Sequence, residues 1–237
     1  SVRKIGVIMG SDNLHIRRTA ERKIRKENVL KQKSSNWLII CEGTKTEPNY
    51  FERAVDEINK KIDDEYKLKV KIIGKGMNTK SLVKATDLQI RIDKYSTSIV
   101  PYGKIFVVFD KDSFEPNDFD EAIKMCNDNG YIPLWSNQAI EFWFLLHFHY
   151  ICSKMNRIEY AKKLNEYFKS KGLDYKYKKN DNELYNLLCE YGSLDKARKN
   201  AKKISDEHLY NKPSLSESCT QIYKFFDEVD ERLKELE

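Results

Sequence analysis

The chain has 237 residues, 40% of them apolar and 34% charged, which is enough to bury a core without covalent staples. No apolar run approaches the roughly 20 residues that cross a bilayer, so a membrane span is excluded. The five cysteines (Cys41, Cys126, Cys152, Cys189 and Cys219) are scattered and form no CxxC pair, which argues against a disulfide framework and a zinc knuckle. The opening SVRKIGVIMGSDN has no long apolar stretch before a small-residue cleavage site, so no secretory leader is expected and the expected compartment is cytoplasmic.

In chain order, residues 14–33 predict a basic helix. WLIIC (37–41) predicts a buried strand, and EGTKTEPNYFERAVDEINKKI a loop and then an amphipathic helix from about Glu47, with Pro48 in its first turn. YKLKVKII (66–73) alternates like a strand, GKGMNTKS (74–81) is a turn, and Leu82 to Tyr95 is a helix. KIFVVF (104–109) predicts a second fully buried strand. A loop, DKDSFEPND, leads to a helix over Phe119 to Asn129 and a short strand, YIPLW (131–135). SNQAIEFWFLLHFHY (136–150) predicts a helix that is apolar almost all round and therefore buried. Only helical patterns follow, interrupted near Gly172, Gly192 and Pro213. The β-α alternation implies an α/β fold with a mostly parallel sheet and right-handed crossovers. The expected organisation is a basic N-terminal arm (1–33), an α/β core (34–150) and a helical C-terminal extension (151–237).

Net charge is +6, all of it accounted for by Arg17 to Lys33, which hold eight Lys/Arg and two Glu. Lys154 to Lys203 carry fourteen basic and seven acidic residues, whereas Asp206 to Glu237 carry nine acidic and four basic. Separated basic blocks suit a polyanion, because lysines and arginines on phosphates release counterions; solvated lysine-rich faces are also common in soluble proteins. The candidate nucleic-acid contacts are Arg17, Arg18, Lys45, Lys80, Lys111, Tyr177 and Lys178. Tyr177 sits in the Lys/Tyr-rich stretch 171–181, where aromatics interleaved with charge fit base stacking, or else a solvated linker.

In open α/β sheets, ligands sit beyond the carboxyl ends of the strands. WLIIC runs directly into Glu42, and KIFVVF into Asp110, Lys111 and Asp112. If the two strands are neighbours, three carboxylates converge. Close carboxylates repel, and a hard divalent cation such as Mg²⁺ or Mn²⁺ removes the conflict. Each acid alone fits a loop or a helix cap equally well. Glu141 lies in an otherwise apolar helix, with Asn137 one turn earlier on the same face; its role is either at such a site or in the favourable field of a helix start. Glu47 is a helix-start acid that could join the cluster. His147 reads as a hydrogen-bonded core histidine or a supporting group. GKGMNTKS nearly matches a phosphate-binding loop, with Thr79 where the second glycine belongs, so a P-loop NTPase using Lys80 is an alternative.

At these residues the sequence resembles the RloB-like family of bacterial phage-defence proteins. The matching blocks are Cys41, Glu42, Gly43, Thr46, Glu47, Pro48, Tyr50 and Phe51; Val107 to Asp112; and Ser136 to Phe148. The chain departs from the family pattern at Gln138, where the family has proline, and at Ile140, where it has an aromatic residue. The family is similar to Toprim folds, and that resemblance implies a Toprim-like core with Glu42 as acid/base and metal ligand and Asp110 and Asp112 as metal ligands. It further implies a Mg²⁺-dependent nuclease effector acting on RNA, tRNA or DNA and working beside an ATPase subunit; a homo-oligomer is a separate expectation that the resemblance does not carry. Against this stand a non-catalytic nucleic-acid- or partner-binding module, the NTPase reading, and a primase-like polymerising activity.

Overall fold

The computed structural model describes residues 19, 21–23, 25, 35–96, 101–111 and 115–236. Arg17, Arg18, Asp112 and most of the helix expected over 14–33 lie outside the described residues.

Five strands form one sheet: β1 (Asn36–Cys41), β2 (Lys69–Gly74), β3 (Lys104–Asp110), β4 (Ile132–Asn137) and β5 (Cys219–Thr220). Their spatial order is β2-β1-β3-β4-β5. β1 to β4 are parallel, and β5 runs antiparallel to β4. The sheet is therefore mixed and mostly parallel, as the alternation implied. Between the strands lie α1 (Thr46–Asn59), α2 (Thr79–Ser96) and α3 (Pro116–Asp128). After β4 come α4 (Glu141–Leu146), α5 (Arg157–Ser170), α6 (Leu184–Tyr191) and α7 (Leu194–Glu207); α8 (Tyr223–Lys234) follows β5.

β1 and β3 are the apolar, β-branched runs of the sequence, and they sit side by side in the middle of the sheet because both their faces are covered. On one face, Trp37 and Phe106 meet Phe225 of α8, which also packs edge-on against Phe51 of α1. On the other, Phe109 meets Phe119 of α3. The segment after residue 150 thus shares the core of the first 150 residues and adds β5 to the sheet. No helix among the described residues is long and apolar enough to cross a membrane.

The long helix expected over 136–150 is corrected by the structure. β4 runs on through Ser136 and Asn137, because both its edges remain paired: Ser136 lies opposite Asp110 and Thr220, and Lys111 N–H donates to Ser136 O. A cis peptide bond joins Asn137 to Gln138. α4 then ends at Leu146, where distant groups satisfy its last carbonyls: Asn200 Nδ2 donates to Leu146 O at 3.0 Å, and Ser193 N–H to His147 O at 2.9 Å.

Candidate functional site

The strand order makes the gap between the carboxyl ends of β1 and β3 the switch point of the sheet, since α1 leads from β1 to one side and α3 leads from β3 to the other. Glu42 and Asp110 stand there. Glu42 N–H donates to Val108 O at 2.9 Å, extending the ladder by one bond, and Asp110 N–H donates to Glu42 Oε2 at 3.1 Å. The expectation that the WLIIC and KIFVVF strands end side by side is met.

Two further acids join them. Glu47, in the first turn of α1, is 7% exposed; its carboxylate accepts from its own N–H and from that of Gly43. A Cβ on Gly43 would collide with that carboxylate, so a larger residue there would displace the Glu47 side chain. Glu141, which opens α4, is 6% exposed and accepts from Tyr177 Oη–H at 2.9 Å. Asp110 Oδ2 accepts from Ile140 N–H at 3.1 Å, which draws the start of α4 onto the end of β3.

Burial and mutual repulsion dominate the electrostatics of the group. Burial pushes Glu42 up to about 7, with the charge on Glu47 adding and the Asp110 amide opposing. Asp110 is held well above the ordinary carboxylate range, first by burial and then by the charges of Glu47, Glu141 and Glu42. Glu47 is raised by burial and by Glu141, against the pull of its two amides and of Lys179. Lys179, with Nζ 3.7 Å from Glu141 Oε1, is the cation that the ion pairs among the described residues place against this group. Its side chain is 64% exposed, so it compensates the cluster weakly.

A donor set made of carboxylate oxygens, under-compensated in charge, is the chemistry that a hard cation takes. Glu42 and Asp110 fit such an ion, and Asp112 falls outside the described residues. Among the described residues, no three His, Cys, Asp or Glu side chains stand together closely enough to hold a metal ion; Glu42, Glu47 and Asp110 are each turned to a backbone amide and Glu141 to a phenol.

The sequence model of RloB-like proteins matches residues 37–229, a stretch that takes in all four carboxylates. The chain belongs to the RloB-like family. No curated protein and no solved structure matches it.

Several expected site residues of this RloB-like chain lie elsewhere. Asn137 is not on the helix of Glu141: it ends β4, fully buried, with Nδ2 donating to Pro213 O at 3.0 Å and Ser214 O at 3.3 Å. His147 is a core residue. Its Nδ1 faces Trp143 O at 3.1 Å, its ring stands edge-on to Trp143, and burial lowers its pKa to about 4. Lys80 is occupied by Asp118 and Glu121 of α3. The neighbouring GKGM loop spends the amides of Lys75 and Gly76 on Cys41 O and Glu42 O, so these amides do not face a phosphate as a P-loop requires. Tyr177 is 9% exposed with its ring against Phe144, which removes it as a stacking platform. Lys45 and Lys178 are exposed and Lys111 is half-buried; Lys45 and Lys111 lie in the loops that leave β1 and β3.

Sequence reasoning missed the partners of Glu141. A signal was present: a carboxylate inside AIEFWFLLHF requires a donor, and the Lys/Tyr-rich stretch holds, two residues apart, the phenol of Tyr177 and the ammonium of Lys179.

Proposed function

We propose that this chain is a Mg²⁺-dependent nuclease effector with a Toprim-like core, acting on RNA, tRNA or DNA in bacterial anti-phage defence. The observation that carries the reading is the adjacency of Glu42 and Asp110 at the sheet's switch point, half-buried and short of compensating charge. Glu42, Asp110 and Asp112 would hold the cation. When bound, a divalent ion supplies charge stabilisation to a phosphodiester and acidifies a bound water.

The chain's own groups do the rest. Glu42 Oε2 is pinned by the Asp110 amide, which leaves Oε1 as the oxygen that takes a proton from the attacking water and returns it to the leaving oxygen. Lys45 and Lys111 flank the two acids along the chain and suit the phosphates on either side of the scissile bond. The resemblance to phage-defence effectors supports the biological setting, and with it an ATPase partner subunit.

The test is incubation of the purified chain with total RNA and with plasmid DNA, in Mg²⁺, Mn²⁺ or EDTA, beside Glu42→Gln. Shortened product that appears only with metal and only in wild type is the expected result. A second reading, a nucleic-acid- or partner-binding module, is favoured by the absence of a ready three-acid metal group among the described residues. Tight nucleic-acid binding with no metal-dependent product would select it.

A further inference from the structure

A cavity of about 220 Å³ opens at the β4–β5 edge of the sheet, between α3, the end of α7 and the start of α8. Four of the residues that line it are apolar and buried: Ile123 of α3, Pro133 and Trp135 of β4, and Cys219 of β5. Pro213, on its wall, is tied down from two sides. Asn137, at the end of β4, donates from Nδ2 to Pro213 O at 3.0 Å, and Asp120 of α3 accepts from Ser214 N–H at 2.8 Å and from its hydroxyl at 2.7 Å. The cavity is therefore built into the fold rather than left between loose loops, as ligand sites usually are.

None of the described residues that line it is acidic, and one of them is Lys224 of α8, half-buried. Among the described residues no carboxylate pairs with this ammonium: Asp227, one turn further along α8, is taken by Arg198 at 2.7 Å. Burial pushes Lys224 below the ordinary lysine range, against the opposing pull of Cys219 and Asp227. Methionine would cover the same apolar surface without that cost. His208 lines the same cavity. Asn211 Nδ2, which can only donate, lies 3.0 Å from His208 Nδ1, so the neutral ring carries its proton on Nε2 and has a second N–H to offer.

Size and charge narrow the ligand. An apolar cavity of about 150 Å³ accommodates benzene, so the larger volume here takes one ring with a small charged group. A lone ammonium is a point charge suited to a monoanion, and none of the described lining residues is an arginine, whose fork suits phosphate. We propose that this cavity binds a small single-ring carboxylate, with the ring against Trp135 and Pro133 and the carboxylate on Lys224. None of the four clustered carboxylates lines it, so the assignment is independent of the nuclease reading.

The experiment titrates benzoate, and benzamide as its uncharged counterpart, into the full chain by calorimetry. Wild type, Lys224→Met and Lys224→Gln are compared, with melting temperature recorded for each and the indole N–H resonances followed by NMR. Benzoate should bind wild type about 10-fold or more tightly than benzamide, the factor of a hydrogen bond to a charged group. It should move the resonance of Trp135 and leave those of Trp37 and Trp143, which are fully buried elsewhere in the core. Both variants should lose that factor for benzoate while benzamide binding stays unchanged. Equal affinity of wild type for the two probes, undiminished benzoate binding in a folded variant, or an unmoved Trp135 resonance would overturn the assignment.

Discussion

Replacing Glu42 by Gln should stabilise the protein at alkaline pH while it abolishes cleavage. The side-chain amide oxygen of Gln can still accept from Asp110 N–H, so the one hydrogen bond that orients the group survives. What disappears is a charge that the fold disfavours. A carboxyl raised from 4.5 to about 7 binds its proton more tightly folded than unfolded. Its favourable contribution is present at low pH and is lost as pH climbs through 7, where the folded state must carry the ionised form. The full shift corresponds to about 3 kcal/mol. Glu42 is only half-buried, and solvent screening reduces that to about 2 kcal/mol. For a chain of this size, that is about 4–8 °C in melting temperature. Thermal melts in EDTA at pH 8 should therefore place Glu42→Gln above wild type, with the gap closing as pH falls from 7 towards 4.5. Mg²⁺ should narrow the gap at pH 8, since an ion that binds the folded wild type stabilises it by mass action. A variant that melts at or below wild type at pH 8 without metal would refute the claim that Glu42 is held against its ionisation.

Two further outcomes follow from the packing around the site. Tyr50→Phe removes the acceptor of the buried Trp143 Nε1–H, now 2.7 Å from Tyr50 Oη, and should cost about 1–3 kcal/mol in urea unfolding; an unchanged midpoint would show the indole finds another partner. Gly74→Ala would set a Cβ 2.5 Å from Gly43 O and 2.6 Å from Thr44 Cα, both backbone atoms, so the loop that follows Glu42 must shift. Loss of metal-dependent cleavage with about 1–3 kcal/mol of destabilisation is expected, and full activity would show that the Glu42 loop tolerates displacement.

The parts of this site that were legible in the sequence are those set locally. WLIIC and KIFVVF announce themselves by unbroken apolar character, and an acid placed directly after such a run has nowhere to go but the sheet's carboxyl edge. The parts that were not legible are decided by partners far along the chain. α4 stops at Leu146 because Asn200 and Ser193 reach its carbonyls. β4 outlasts YIPLW because Thr220 pairs with Ser136, their hydroxyls 2.8 Å apart, and a two-residue strand such as β5 has no periodicity to detect. Tyr177 looked like an exposed aromatic among lysines until the fold turned it onto Glu141, 36 residues earlier in the chain.

These long-range contacts also explain why the three sequence blocks occur together. Each pairs an acid with a large apolar anchor a few residues away: Glu42 and Glu47 with Tyr50 and Phe51, Asp110 with Phe109, Glu141 with Trp143. The anchors are set in the core on both faces of the sheet: Tyr50 meets Trp143 by a hydrogen bond and Phe144 ring to ring on one, and Phe109 meets Phe119 of α3 on the other. Four carboxylates that repel one another cannot assemble the site by their own attraction. Apolar burial holds α1, β3 and α4 together, and the acids ride on the ends of those elements, so the unfavourable charge is met by packing energy rather than by ion pairs. The site is therefore pre-formed at a cost, and without metal above pH 7 neutral substitutions at Glu42 and at Asp110, whose carboxyls burial and neighbouring charge hold above the ordinary range, should each gain stability in melts.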